Sequence, residues 1–178
     1  IADHRVNALF TAPTAIRAVK RADPDAELMG RYDLSSLRTL FLAGERADPD
    51  TVQWSARSLG VPVIDHWWQT ETGWPIAANC VGLGALPVKL GSPTRAVPGY
   101  DVRVLDDDGR ELPPGETGHI VLKLPLPPGC LKGLWENEPG FQSAYFERFP
   151  GYYQTADAGH IDEDGYLWFR GRKKQIIV

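Results

Sequence analysis

LRTLFLAGERADPDTVQWSARSLGVPVIDHWWQTETG, residues 37–73, decides how the chain is folded. Its opening, LRTLFLAGE, is an apolar run that ends at a glycine, the pattern of a strand buried in a parallel sheet. The next segment offers Asp48 or Asp50 as a helix cap, with Val52, Ala56 and Leu59 at helical spacing and Gly60 as a stop. VPVID, residues 61–65, then reads as a second short buried strand. Strand, helix and strand in this rhythm predict a parallel sheet with right-handed crossovers. Ligands of such sheets bind beyond the carboxyl ends of the strands, and both AGE and DHWWQTE fall there.

Outward from this stretch the same rhythm holds on one side and changes on the other. Upstream, RVNALFTAP (residues 5–13) contains a strand-like run, and TAIRAVKRA reads as a helix. Downstream, LGSPTRAVPGY (residues 90–100) is rich in Gly and Pro and marks a change of character. Beyond it the sequence predicts a hairpin around Asp108-Gly109, a strand over residues 119–124, and a second hairpin turning at Asp164-Gly165. The fold class expected is α/β, a parallel-sheet part followed by a smaller β-rich part.

At 178 residues the chain has room for one large domain or two small ones with a buried core. A net charge of −4 gives no basic footprint, which disfavours nucleic acid or an anionic membrane as partner. No apolar run approaches the ~20 residues that span a bilayer. Cys80 and Cys130 have no Cys or His spaced to complete a zinc site, and they read as two reduced thiols in a cytosol-like compartment. The chain opens on Ile1 without a methionine and stops on QIIV, so it reads as a piece of a longer protein.

Several familiar motifs fail. There is no Gly-x-Ser-x-Gly elbow, GLGALP at Gly82 lacks the third glycine of a dinucleotide fingerprint, and no Gly-rich loop ends in Lys-Ser/Thr. DEDG at Asp162 lacks the flanking oxygen ligands of a calcium loop, so both acidic turns read as solvated hairpin ends. WWQTETGW is different. Adjacent Trp67 and Trp68 would point opposite ways in a strand, one able to cover a planar ligand and one to wall a pocket. The Thr70 hydroxyl can donate to a phosphate oxygen, and the Glu71 carboxylate is the hard ligand that magnesium prefers. Together they point to a magnesium-nucleotide site.

DHWWQTETG closely resembles the adenylate-forming motif of acetyl- and propionyl-CoA synthetases, short-chain members of the acyl-CoA synthetase superfamily. VNALFTAPTAIR, LFLAGE, LGSPTRAVPGYDV, LPLPPGCLKGLW and YYQTADAGHIDEDGYLWFRGR extend the resemblance in order along essentially the whole chain. The resemblance implies ATP-dependent activation of a small carboxylate, propionate or acetate, as acyl-adenylate, and its transfer to coenzyme A. It implies that Gly44, Glu45 and Arg46 line the adenine and ribose-phosphate side, and that Asp65, His66 and Trp67 form the adenine wall beside Gln69. Trp68 caps the acyl pocket, Ala43 gives it room for about one extra methylene, Thr70 holds the α-phosphate and Glu71 carries magnesium. Asp157 binds the ribose hydroxyls, and Arg172 adds a fork-shaped contact to the same nucleotide.

By the same resemblance, residues 1–92 are an α/β subdomain of the large nucleotide-binding domain. Residues 93–170 are a distorted, barrel-like β subdomain, and 171–178 begin a hinge. The phosphate-cradling loop is expected before Ile1, and a lid with its catalytic lysine after Val178, which would leave the fragment alone inactive. The compartment expected is cytoplasmic, or the mitochondrial matrix in a eukaryote. Three departures stand out: Arg46 where relatives commonly have Pro, Ala156 where they have Gly, and Lys173-Lys174 where many carry acids. Lys174 fits a hinge role. A non-catalytic nucleotide-binding module is the alternative. A tryptophan-displaying carbohydrate-binding domain would leave the parallel-sheet half unexplained.

Overall fold

The computed structural model describes residues 1–172, Arg172 through its backbone alone. Lys173 and Lys174, and with them the expected hinge, lie outside the described residues. The apolar runs pair as expected: β1 (Ala8–Thr11), β2 (Thr39–Leu42) and β3 (Val63–Asp65) form a parallel sheet in the order β1-β2-β3. Helix α1 (Pro13–Ala22) follows β1, and α2 (Pro49–Leu59) joins β2 to β3. Asp48, not Asp50, caps α2 by accepting a hydrogen bond from the Thr51 N–H at 2.9 Å, and Gly60 ends it at φ 65°. Ile16, Val52 and Trp54 from the helices pack on Leu40, Leu42 and Val63 of the sheet. Leu40 and Leu42 are fully buried, and truncating a leucine to alanine in such a place costs about 2–5 kcal/mol.

Register fixes where the chain leaves the sheet. Leu42 pairs with Asp65, so the segments after β2 and β3 depart from the same edge. Residues 43–46 and 66–71 are thereby neighbours.

The second half is antiparallel. A short pair, β4 (Ala77–Ala78) and β5 (Arg95–Ala96), precedes a four-stranded sheet of β6 (Val102–Leu105), β7 (Gly118–Lys123), β8 (Tyr152–Ile161) and β9 (Leu167–Arg172) in sequence order. β7 is buried on both faces. Ile120 and Leu122 join a core with Ile76, Val97 and Tyr153, while Val121 packs on the other side with Leu105 and Phe149. Ile76 and Ala77 belong to this second core although they follow the tryptophan motif directly.

The first hairpin turns where expected but is short. The Asp106 N–H donates to the Arg110 carbonyl at 2.9 Å and the Leu112 N–H to the Val104 carbonyl at 2.8 Å, around a single bridge from Glu111 to Leu105. Along its length β6 pairs with β7. Pro113 and Pro114 explain this, since neither can donate to a ladder. The second hairpin turns where expected, but Asp162 is not merely solvated. Its carboxylate accepts from Lys89 Nζ at 2.7 Å, from the Trp168 indole at 3.0 Å and from the Tyr166 N–H at 2.8 Å. Partial burial works against its charge, yet these donors hold its carboxyl down at about 2. A helix, α3 (Glu138–Tyr145), also stands where the sequence reading placed no element. Asn137 caps it through the Gly140 N–H at 3.0 Å.

Candidate functional site

The two halves meet at a cleft of about 500 Å³, within the range of small-molecule sites. Gly44, Glu45, Arg46, Asp65, His66, Trp67, Trp68, Gln69, Thr70, Glu71 and Asp157 all line it. Ala43 does not: it is buried behind Gly44, 3% exposed. Arg172 is placed opposite Asp157 by the β8–β9 register, and its side chain is outside the described residues.

The turn after β2 starts at Gly44 with φ 95°, a conformation that side-chained residues avoid. It carries Glu45 to the start of α1, whose cap position, Ala12, has no side chain to offer. The Glu45 carboxylate fills that role by accepting from the Thr14 N–H at 2.7 Å, and it also takes the Thr14 hydroxyl and Arg17 Nη2. Led by the Thr14 hydroxyl, these donors lower its pKa. Glu45 is therefore committed to the fold as well as to the cleft wall. Arg46 runs beside Gly91, its Nη2 3.2 Å from where a Cβ would stand. A side chain at Gly91, which also sits at φ 89°, would crowd the guanidinium and strain the backbone.

At the end of β3, burial pushes the Asp65 carboxyl up to about 7, opposed in part by the Arg46 charge and the His66 N–H. Near neutral pH this group can thus donate as well as accept. His66 is buried against Phe10 and Phe41, at ring-centroid distances of 5.4 and 5.9 Å. Desolvation lowers its pKa, and its Nδ1 finds no partner among the described residues. Trp67 bridges to Ala77 and sets its ring edge-on against Phe169 of β9 at 5.0 Å. Trp68 stays 39% exposed on the cleft. The strand has ended at Asp65, so the two tryptophans do not alternate across a sheet as expected: both line the cleft, Trp67 packed on Phe169 and Trp68 more exposed.

Thr70 to Thr72 form a single 3-10 turn, with Thr70 exposed and Thr72 buried. Glu71 faces the cleft, and its Oε1 accepts from the Tyr145 hydroxyl at 3.1 Å. Gln69 reaches across to β8. Its Nε2 donates to the Thr155 carbonyl at 2.7 Å and to Asp157 Oδ2 at 2.9 Å, while its Oε1 accepts from the Tyr153 hydroxyl at 3.0 Å. Before Asp157 the backbone turns through Ala156 at φ 60°. A Cβ in this region of backbone space costs about 1–2 kcal/mol.

Sequence reasoning missed Gly91, Pro93, Phe169 and Gly171 on the cleft wall, and the tyrosines behind it. Gly91 and Pro93 sit in the segment set aside as a boundary, and Gly171, expected to open the hinge, lies instead in β9. Only the alternation of β9 could have pointed to Phe169.

Residues 1–135 match the family described as AMP-binding enzyme. The chain belongs to this family. Mouse acyl-CoA synthetase short-chain family member 3, mitochondrial, is 53% identical over 99% of this chain and 26% of its own length. The propionate–CoA ligase of Escherichia coli is 43% identical over 98% of this chain and 28% of its own length. The chain thus spans roughly a quarter of the length of these relatives. Among solved structures, the anthranilate CoA ligase AuaEII in complex with anthranoyl-AMP superposes with a TM-score of 0.80 at 27% identity, covering 97% of this chain and 31% of that one. The α/β fold with a curled antiparallel half is that of an adenylate-forming CoA ligase.

The described residues hold no cluster of three or more His, Cys, Asp and Glu side chains arranged for a metal. Magnesium bound with a nucleotide takes most of its ligands from phosphate and water, and asks one or two carboxylates of the protein. Glu71 beside Thr70 meets that demand. No described helix is long and apolar enough to cross a membrane.

Proposed function

We propose that this chain is part of an ATP-dependent short-chain acyl-CoA synthetase acting on propionate or acetate. In the first half-reaction a carboxylate oxygen attacks the α-phosphorus of ATP, giving acyl-adenylate and pyrophosphate. In the second, the thiol of coenzyme A attacks the acyl carbon, and AMP leaves with its phosphorus–oxygen bonds intact. Such chemistry rests on positioning and charge neutralisation.

One observation carries this reading: the cleft gathers residues from three distant stretches, Gly44–Arg46, Asp65–Glu71 and Asp157. In our assignment the first group borders adenine and ribose-phosphate, and Asp65, His66 and Trp67 wall the base beside Gln69. The Thr70 hydroxyl donates to the α-phosphate. Asp157, with Arg172 opposite it on β9, takes the ribose hydroxyls. Glu71 would hold magnesium, which would supply charge neutralisation on the phosphate oxygens. Residues 1–92 and 93–170 act as the two subdomains that bring these groups together. A compartment with free ATP, cytoplasm or mitochondrial matrix, suits the chemistry.

Trp68 closes the acyl end of the cleft; Ala43, which does not line it, would bear on its depth only indirectly, through Gly44. One methylene is worth roughly 0.8 kcal/mol, so propionate is preferred over acetate only modestly. Trp68→Gly should admit medium-chain acids, read as the ratio of kcat/KM values across chain length. An unchanged ratio would remove Trp68 from the pocket. The test of the whole reading is pyrophosphate exchange into ATP by the full-length protein, with and without propionate. Propionate-dependent exchange is the expected result. Nucleotide binding without exchange would make the protein a binding module instead.

A further inference from the structure

Of the carboxylates that line the cleft, Glu71 and Asp157 are both tied to one pair of tyrosines, Glu71 directly and Asp157 through Gln69. The Tyr145 hydroxyl donates to Glu71 Oε1 at 3.1 Å. The Tyr153 hydroxyl donates to Gln69 Oε1 at 3.0 Å, and the Gln69 amide passes this on to Asp157 Oδ2 at 2.9 Å. The two phenol rings lie stacked, 5.3 Å between centroids and 7° from parallel. Tyr153 is 2% exposed, and Phe146 closes over its ring at 5.9 Å. From these contacts we infer that the Tyr145–Tyr153 stack is a brace that fixes Glu71 and Asp157 relative to one another before ligand arrives.

Several features favour preorganisation over simple packing. Both hydroxyls are placed as donors, to Glu71 Oε1 and to Gln69 Oε1. Neither ring lines the cleft, so each acts only through the residue it holds. Tyr145 ends α3, and α3 packs on β8, which carries both Tyr153 and Asp157. The helix that the sequence hides thus ties the metal end of the site to the ribose end. Holding reacting groups in place in this way is where an adenylating enzyme gains most.

The inference rests on the proposed nucleotide chemistry, and a binding experiment separates the two. The full-length protein is titrated by calorimetry with a non-hydrolysable magnesium-ATP analogue and, separately, with AMP in the absence of metal. Tyr145→Phe keeps the stack and removes one hydrogen bond to a charged group, and should weaken the magnesium-ATP analogue about tenfold. It should leave AMP affinity within about twofold. Tyr153→Phe should weaken both ligands about fivefold, because it loosens Asp157 through Gln69. In a Glu71→Gln background, Tyr145→Phe should cause no further loss. Equal weakening of both ligands by Tyr145→Phe, no weakening at all, or additivity with Glu71→Gln would overturn the brace. A wild-type protein that binds neither nucleotide would instead overturn the functional reading, and the brace with it.

Discussion

The two sides of the cleft are built differently. On the parallel-sheet side, Gly44–Arg46 and Asp65–Glu71 are placed by the chain next to them, since β2 and β3 end in register at Leu42 and Asp65. On the antiparallel side, Asp157 is placed by partners far away. Gln69 lies 88 residues before it, and Ala156 must hold φ 60° to present it. One half of the site is therefore a consequence of strand ends, and the other a consequence of assembly. Damage should spread accordingly: local on the first side, and shared between halves on the second.

The largest effect should come from Glu71→Gln. It keeps the shape and loses the charge that would hold magnesium, so adenylation by the full-length protein should fall by about a hundredfold or more. Thioester formation from supplied acyl-adenylate should change far less. Equal losses in both half-reactions would remove Glu71 from its assigned place. Next, Gln69→Ala should raise KM for ATP about tenfold by releasing Asp157, with a smaller effect on kcat. If kcat falls and KM holds, Gln69 serves the chemistry and not the ribose end.

Smaller effects test what joins the halves. Lys89, before the second sheet, grips Asp162 and Asp164 at the tip of the β8–β9 hairpin at 2.7 and 2.6 Å. Its ammonium also lies 4.4 Å from the centre of the Tyr166 ring. Lys89→Met should lower the urea midpoint slightly, because the pair is screened by solvent. The sign with pH follows from Asp162, whose carboxyl is lowered to about 2 from its ordinary 3.8. Its stabilisation is present above about pH 4 and is lost as pH falls towards 2. The variant should show a flatter acid limb, and an unchanged limb would place the stabilisation elsewhere. Smallest of all, Ala156→Gly should raise stability by about 0.5–1 kcal/mol, strain relief outweighing the entropy that glycine adds to the unfolded chain. A loss of stability would mean that the turn is not strained.

The same contrast explains what could be read from the sequence. Apolar runs, the Asp48 cap and the Gly60 stop are local signals, and they gave the parallel strands, α2 and the strand-end half of the site. Asp157 and Trp68 came from resemblance, because a lone acid near a hairpin has no local mark of function. The Asp108-Gly109 turn signal holds, but the prolines after it deny the returning segment its donors, so the hairpin stays short and β6 pairs mainly with β7. Asn137 and Pro139 did mark the start of α3, but GFQSAY shows too short an apolar period to call attention to a helix. The motif placed Gln69 at the site, but its reach to Asp157 and the contacts of Tyr145 and Tyr153 had no sequence signal. They exist only through contacts 74 to 88 residues apart.

The central claim is that the two sides form one adenylate site, and a crystal structure of the full-length protein with a non-hydrolysable propionyl-adenylate analogue tests it most directly. The account predicts the analogue in this cleft, ribose oxygens on Asp157, phosphate at Thr70, the base along Asp65–Trp67 and the acyl end against Trp68. An analogue bound elsewhere, or in the cleft with its ribose away from Asp157, would contradict it.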